Sequence, residues 1–443
     1  MKRDIEQDLI TWKAKKGRKP LLLRGARQVG KTYVVEKFGR EHFSSFVKID
    51  FEKQPEISRC FDTLIPEQII AALELSVRSR IIPGETLLFF DEIQACPKAI
   101  MALRYFKEEM SNLHVIGAGS LLEFALKETD FRMPVGRVQY LFLKPLSFSE
   151  YLTSTENDIL RERLQNVELS SPPDDVLHRR ALQLTREFIA LGGMPEVIAH
   201  FLQTKSYHDC QQIQASLLNT YRDDFAKYTT HTQYKYLQLL FEKTPGLIAQ
   251  WFKYTKVDPS VDPRTLRIAL EQLSDAGLIC PVHATAASGI PLMSKVNRKK
   301  FKLLFLDVGL VLRACHLDLQ LIMQENLMLI NRGAIAEQFV GQELLAYLDR
   351  YEPRRIYFWI REKKGSSAEV DYVINVGGDV IPIEVKAGAA KRLLSLQLFM
   401  REKRTRVGVC ISQAPLSYKD GVLFLPLYMV SELPRLIKNI HEG

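Results

Sequence analysis

The segment Gly25-Ala26-Arg27-Gln28-Val29-Gly30-Lys31-Thr32 has the spacing G-x-x-x-x-G-K-[ST], a pattern with a definite chemistry. The glycines let backbone N–H groups turn inward on phosphate oxygens, Lys31 reaches the β and γ phosphates, and the Thr32 hydroxyl holds Mg²⁺. ATP with Mg²⁺ is the implied ligand. A second set, Asp91-Glu92, closes the apolar run Thr86-Leu87-Leu88-Phe89-Phe90. Asp91 is placed to share the Mg²⁺ with Thr32, and Glu92 to polarise the water that attacks the γ-phosphate. Without the phosphate loop upstream, the same acids would read as the polar end of a strand.

A third set lies in Glu369-Val370-Asp371-Tyr372-Val373-Ile374-Asn375-Val376-Gly377-Gly378-Asp379-Val380-Ile381-Pro382-Ile383-Glu384-Val385-Lys386. Gly377-Gly378 is a two-residue hairpin signal. If it is the turn, Val376 pairs with Asp379, and counting outward sets Asp371 opposite Glu384. Like charges facing each other across strands are unfavourable, so a cation is a physical reason to put them there. Asp371 and Glu384 then hold Mg²⁺, Lys386 on the same face orients a hydroxide or stabilises charge on a scissile phosphate, and Glu337 on a preceding helix completes the site. The alternative is a solvated strand face on which Lys386 screens the acids.

Positioning these groups takes several kinds of element. Residues 21–23, 46–50, 86–90 and 114–117 read as strands separated by helical stretches, an alternation that predicts a parallel α/β sheet over 1–150. Residues 151–230 read as a helical lid or linker with a surface loop at 170–175 and the segment Leu191-Gly192-Gly193-Met194-Pro195. Within 231–320, Leu266, Ala269, Leu270 and Leu273 mark one helical face, and strands at 278–284 and 301–306 follow it. That order is the order of a winged helix, with Arg264 and Arg267 near the start of its candidate recognition helix. Such a module contacts DNA or packs against the ATPase. Residues 325–443 read as helix 334–348, strands 355–360, 369–376 and 380–386, a further helix and one final strand. The fold class is therefore α/β in several parts.

At 443 residues the chain is too long for one ordinary core. Its 46% hydrophobic and 26% charged residues exclude a disordered composition, and no apolar run approaches membrane-spanning length. The charged N-terminal residues lack a signal-peptide pattern, so the expectation is a cytoplasmic protein without a membrane partner. The six cysteines lie far apart and read as buried thiols. A formal charge of +9 asks for an acidic partner, nucleic acid first, and basic residues cluster at 13–19, 295–302 and 401–406. Each cluster also reads as a solvated face.

Together these residues resemble a bacterial and archaeal group of AAA-type P-loop ATPases whose C-terminal half is a domain of unknown function ending in a nuclease-like fold. Residues 25–32 resemble its phosphate loop, Asp91-Glu92-Ile93-Gln94 its Walker B segment, and Gly119-Ser120-Leu121-Leu122 its sensor segment. Val135-Gly136-Arg137-Val138, followed by Leu143-Lys144-Pro145-Leu146-Ser147-Phe148, is similar to its most distinctive stretch. The resemblance implies that Ser120 reports on the γ-phosphate and that Arg137 is an arginine finger or sensor; a surface salt bridge is the plainer role for Arg137. A finger acting in trans requires a homo-oligomer. Glu337, Asp371, Glu384 and Lys386 resemble a PD-(D/E)XK nuclease core, departing from it in having Val370 where a proline is usual. Two functions stand as expectations. One is an ATPase directed at nucleic acid, DNA before RNA, with Mg²⁺-dependent cleavage at its C-terminal end. The other is an ATP-dependent switch or scaffold whose later domains only bind.

Overall fold

A computed structural model describes residues 1–120, 122, 136–227, 231–317, 333–352, 356–363, 365, 367–386, 388 and 393–442. Leu121, Val135, residue 355 and the boundary expected between 320 and 325 lie outside them. The chain divides into two compact units, the first built on Met1–Lys144 and the second holding most of the residues from Pro145 onward.

In the first unit the strands are β1 (Leu21–Arg24), β2 (Ser45–Asp50), β3 (Thr86–Asp91), β4 (His114–Gly119) and β5 (Gln139–Phe142). They form a parallel sheet in the order β2-β3-β4-β1-β5. Every residue of β3 and β4 is buried, as expected of central strands covered on both faces. The helices are α1 (Ile5–Ala14), α2 (Lys31–His42), α3 (Pro66–Val77) and α4 (Pro97–Glu109). Ala99, Ile100, Leu103 and Phe106 give α4 a buried stripe at helical spacing, and they pack with Leu22, Leu88 and Phe90 of the sheet.

The second unit opens with α5 (Phe148–Ser154), α6 (Asp158–Gln165), α7 (Asp175–Leu191), α8 (Pro195–Thr204), α9 (Tyr207–Asp224), α10 (His231–Lys243), α11 (Tyr254–Val257) and α12 (Pro263–Asp275). The loop before α7 ends in Asp174, whose side chain accepts the Leu177 N–H and caps the helix. After α12 come β6 (Ile279–Thr285), β7 (Val296–Phe305), α13 (Val308–Ala314), α14 (Ala334–Tyr347), β8 (Tyr357–Ile360), β9 (Glu369–Val376), β10 (Asp379–Val385), α15 (Leu394–Lys403), β11 (Gly408–Ser412), β12 (Ser417–Lys419), β13 (Val422–Pro426) and α16 (Leu433–Glu442).

Three differences from the expectations stand out. The expected helix and the strand pair after it are present, and α12 buries Leu266, Ala269, Leu270 and Leu273. The hairpin is not a free wing, however, because β6 pairs in parallel with β8, and one eight-stranded sheet runs β12-β13-β11-β10-β9-β8-β6-β7. The C-terminal end holds β11, β12, β13 and α16 in place of a single strand, since the turn residues Asp420 and Gly421 fold β12 back on β13. All six cysteines are free, but only Cys96, Cys210 and Cys410 are buried.

Between α7 and α8, Gly192 has φ +74, and a Cβ there would stand 2.0 Å from Asp307 Oδ1. The buried Asp307 carboxylate accepts the N–H groups of Gly193 (2.6 Å) and Leu310 (3.1 Å), so it pins the glycine pair to the start of α13. Gly192→Ala therefore combines backbone strain with a collision. It is expected to destabilise the second unit by about 2–3 kcal/mol, seen as a lower thermal midpoint. An unchanged midpoint would remove Asp307 as the anchor of this loop.

Candidate nucleotide site and carboxylate cluster

The phosphate loop leaves the C-terminal end of β1 and runs into α2. Gly25 has φ +152 and lies so close to Leu143 that a Cβ would meet its carbonyl oxygen at 2.2 Å, while Gly30 opens α2 with φ +93. Ala26 and Val29 are buried, Arg27 is half-buried and Gln28 is exposed with φ +63. Lys31 is 6% exposed, and its ammonium donates to the carbonyls of Gly25 (2.9 Å) and Ala26 (2.8 Å). Burial lowers its pKa to about 8, against the opposing pull of Glu92 and Asp91. An anionic phosphate beside it favours the charged form.

Because β4 lies between β1 and β3, the loop and the acids meet across the end of an intervening strand, the crevice where open α/β sheets bind ligands. Thr32 Oγ1 donates to Asp91 Oδ2 (3.0 Å) and Oδ1 (3.1 Å). A hydroxyl and a carboxylate one hydrogen bond apart are hard oxygen donors that would hold Mg²⁺, which would neutralise phosphate charge there. Lys48 joins the site without any signal in the sequence. It pairs with Asp91 Oδ2 (2.9 Å) and with Glu36 Oε1 (3.0 Å). Glu92 has a left-handed backbone, φ +48, and its Oε2 accepts Gln94 Nε2 at 2.6 Å. Ser120 is buried just after β4, and its hydroxyl has no partner among the described residues.

Arg137 is not brought to this cluster. It precedes β5, which runs parallel to β1, so it sits at the sheet edge opposite the phosphate loop. There its Nε donates to Glu108 Oε1 at the end of α4 (2.7 Å).

In the second unit Gly377 (φ +60) and Gly378 (φ +97) make the turn between β9 and β10, and Val376 pairs with Asp379. The register runs to Tyr372 against Ile383, which makes Asp371 and Glu384 the next pair. Asp371 Oδ2 accepts the Val385 N–H (2.8 Å). Glu384 Oε1 pairs with Lys386 Nζ (2.5 Å), while its buried Oε2 has no partner among the described residues. Burial, and then the nearby Asp371, push the Glu384 carboxyl up from the ordinary range.

Lys302, only 3% exposed, closes the basic run expected to be a solvated face or a nucleic-acid contact. It pairs with Glu337 (2.9 Å), Asp371 (3.4 Å) and Glu369. Burial works against its charge, but Glu337, Asp371 and Glu369 outweigh it and hold the pKa above the usual lysine value. Burial also raises the Glu337 carboxyl. An internal ammonium thus stands between Glu337 and Asp371, and among the described residues no group of three or more His, Cys, Asp or Glu is arranged to hold a metal. Asp371 and Glu384 remain as a facing pair.

Residues 17–152 match the AAA domain family, and residues 182–321 and 332–430 match two domains of unknown function, DUF8612 and DUF4143. The match to the AAA domain falls on the first unit, whose five-stranded parallel sheet is that of a P-loop NTPase core. No curated protein matches the sequence. Among solved structures, a Walker-type ATPase of Pyrococcus abyssi is similar at 16% identity over 71% of this chain and 95% of that one, TM-score 0.46. The Aeropyrum pernix ORC1 protein in complex with DNA is similar at 12% identity over 72% and 93%, TM-score 0.29. AMPPCP-bound DnaA from Aquifex aeolicus is similar at 13% identity over 61% and 86%, TM-score 0.27. Among the described residues no helix is long and apolar enough to cross a membrane.

Proposed function

We propose that the protein hydrolyses ATP in response to nucleic acid, DNA before RNA, bound through its second unit. In this reading backbone N–H groups of residues 25–30 cradle the phosphates, Lys31 bonds the β and γ phosphates, and Thr32 and Asp91 hold Mg²⁺. Glu92 draws the proton from the attacking water and Ser120 contacts the γ-phosphate. The observation that carries it is the Thr32–Asp91 contact beside the buried Lys31. The nucleic-acid part is supported by the +9 charge and by exposed basic residues at Arg264 and Arg267 on α12 and at Lys295, Arg298 and Lys299 about the start of β7. Arg137, exposed and away from its own loop, reaches a γ-phosphate only across a homo-oligomer.

The test is ATP hydrolysis with and without duplex DNA or RNA over a salt series. Duplex DNA is expected to stimulate turnover more than RNA, and binding is expected to weaken by about three powers of ten from 50 to 200 mM salt if some six phosphates are contacted. Hydrolysis indifferent to nucleic acid, with binding indifferent to salt, would sink the reading.

Mg²⁺-dependent phosphodiester cleavage at Asp371, Glu384 and Lys386 is a second reading that specific observations favour. After α14, the antiparallel β8, β9 and β10 are followed by α15 and a parallel β11, the order of a PD-(D/E)XK core. Glu384 Oε2, without a partner among the described residues, is an acceptor suited to one hard cation. Plasmid nicking by the wild type and not by Glu384→Ala is the expected contrast. Equal nicking by both would assign the activity to a contaminant and leave this end of the chain a binding module.

A further inference from the structure

Gln94 lies three residues past the end of β3 and does two things at once. Its Nε2 donates to Glu92 Oε2 at 2.6 Å, and its Oε1 lies over the end of β4, where a Cβ on Gly119 would stand 2.0 Å from it. The amide orientation is set by Glu92: turned over, Gln94 would present an oxygen to a carboxylate. Among the described residues Oε1 is buried without a hydrogen-bond partner, and so is the hydroxyl of Ser120, one residue past Gly119. A buried acceptor without a donor calls for a reason, and non-glycine residues in the left-handed region, such as Glu92 at φ +48, collect at functional sites.

We propose that Gln94 is the positioning residue of the hydrolytic step, fixing one oxygen of Glu92 through its amide and tying that carboxylate to the Gly119-Ser120 end of β4. This rests on the reading of Glu92 as the group that draws the proton from the attacking water. With Oε2 held by Gln94, Oε1 of Glu92 is the oxygen left to face the water. Glycine is required at position 119 because the Gln94 carboxamide fills the place of its side chain. Gln94 touches neither nucleotide nor metal in this scheme, so its loss acts on turnover and spares binding.

The experiment is a double-mutant cycle on the full chain, reading both kcat and the dissociation constant of a fluorescent ATP analogue with Mg²⁺. Gln94→Met keeps the length and loses both polar atoms. It is expected to lower kcat by about 10- to 100-fold with the dissociation constant unchanged, since positioning of a general base carries a part of that base's effect. In a Glu92→Gln background the same change is expected to cost nothing further, because it acts through the Glu92 carboxylate. An unchanged kcat in Gln94→Met overturns the inference. So does an equal fractional loss in the Glu92→Gln background, which would mark a general structural role. Gly119→Ala provides an independent variant, because it displaces the Gln94 carboxamide without altering it, and the same kcat loss with unaltered binding is expected. If Glu92→Gln alone hydrolyses ATP normally, it is the reading of Glu92 that falls, and the inference with it.

Discussion

Lys31→Ala will lose ATP binding, and Glu92→Gln will bind ATP normally but fail to turn it over. The ammonium of Lys31 is buried at the start of α2 and spends its hydrogen bonds on two loop carbonyls. It is therefore already in place for the phosphates, and transfer to them needs no large movement. Removing one member of such a buried charge pair costs about 2–5 kcal/mol, which is roughly 30- to several-thousand-fold in affinity. Glutamine at 92 keeps the shape of the side chain but accepts no proton, so binding stays and turnover falls by about 10²–10⁴-fold. Isothermal titration with ATP and Mg²⁺ reads the first effect and phosphate release the second. Normal hydrolysis by Glu92→Gln would reject Glu92 as the base.

Lys302→Met will destabilise the second unit by about 3–5 kcal/mol, because it leaves Glu337, Glu369 and Asp371 around an uncharged side chain, without their counter-charge. At about 2–4 °C per kcal/mol for a domain of this order of size, the thermal midpoint falls by some ten degrees. The effect has a signature in pH. Burial already raises the Glu337 carboxyl above its unfolded value with the ammonium present. Without Lys302 the folded value goes higher still. A raised carboxyl contributes stability below its unfolded pKa, near 4, and loses it as pH rises through the folded pKa. With the ammonium present that folded value is about 8, so the Glu337 part of the deficit is absent in acid, where the carboxyl is protonated in both proteins, and opens as pH rises through about 8. Lys302 itself, its pKa raised, stays charged over this window and adds no slope. A deficit that is flat with pH, or grows in acid, would refute the ion-pair account.

Local chemistry is legible in the sequence where one short segment carries it. The phosphate loop, the acids closing β3 and the Gly377-Gly378 register each come from spacing within some twenty residues. Lys302 is hidden because its run is basic and because strand alternation separates it from Phe301 and Leu303 without revealing that both faces are covered. Its carboxylates come from α14 and β9, whose approach depends on the whole sheet. Lys48 lies on β2, while Asp91 is 43 positions later on neighbouring β3, and only the pairing of those strands joins them. Gln94 stands inside the Walker B-like segment, yet its spacing assigns it no task, because its neighbour Gly119 belongs to another strand. Arg137 reads as a finger from its segment; its distance from the loop is a property of β5 running parallel to β1. The second pairing of the hairpin is hidden for a similar reason, as β6 finds it in β8, more than seventy residues away.

The eight-stranded sheet ends on β7 at one side and on β12 at the other, and open edges invite foreign strands to add on. β12 is only the three exposed residues Ser417–Lys419, too short to template much. The other border is longer, and there Arg298 and Lys299 are exposed while Lys300 pairs with Glu362. Cationic side chains on a border strand repel a second copy of the same strand, so this run guards the protein against aggregation whatever else it touches. Alanine substitutions made to probe nucleic-acid contact would strip that guard as well, and a precipitating variant would be mistaken for a non-binding one. Exchanging Arg298 and Lys299 for glutamate reverses the attraction to phosphate while leaving the border charged.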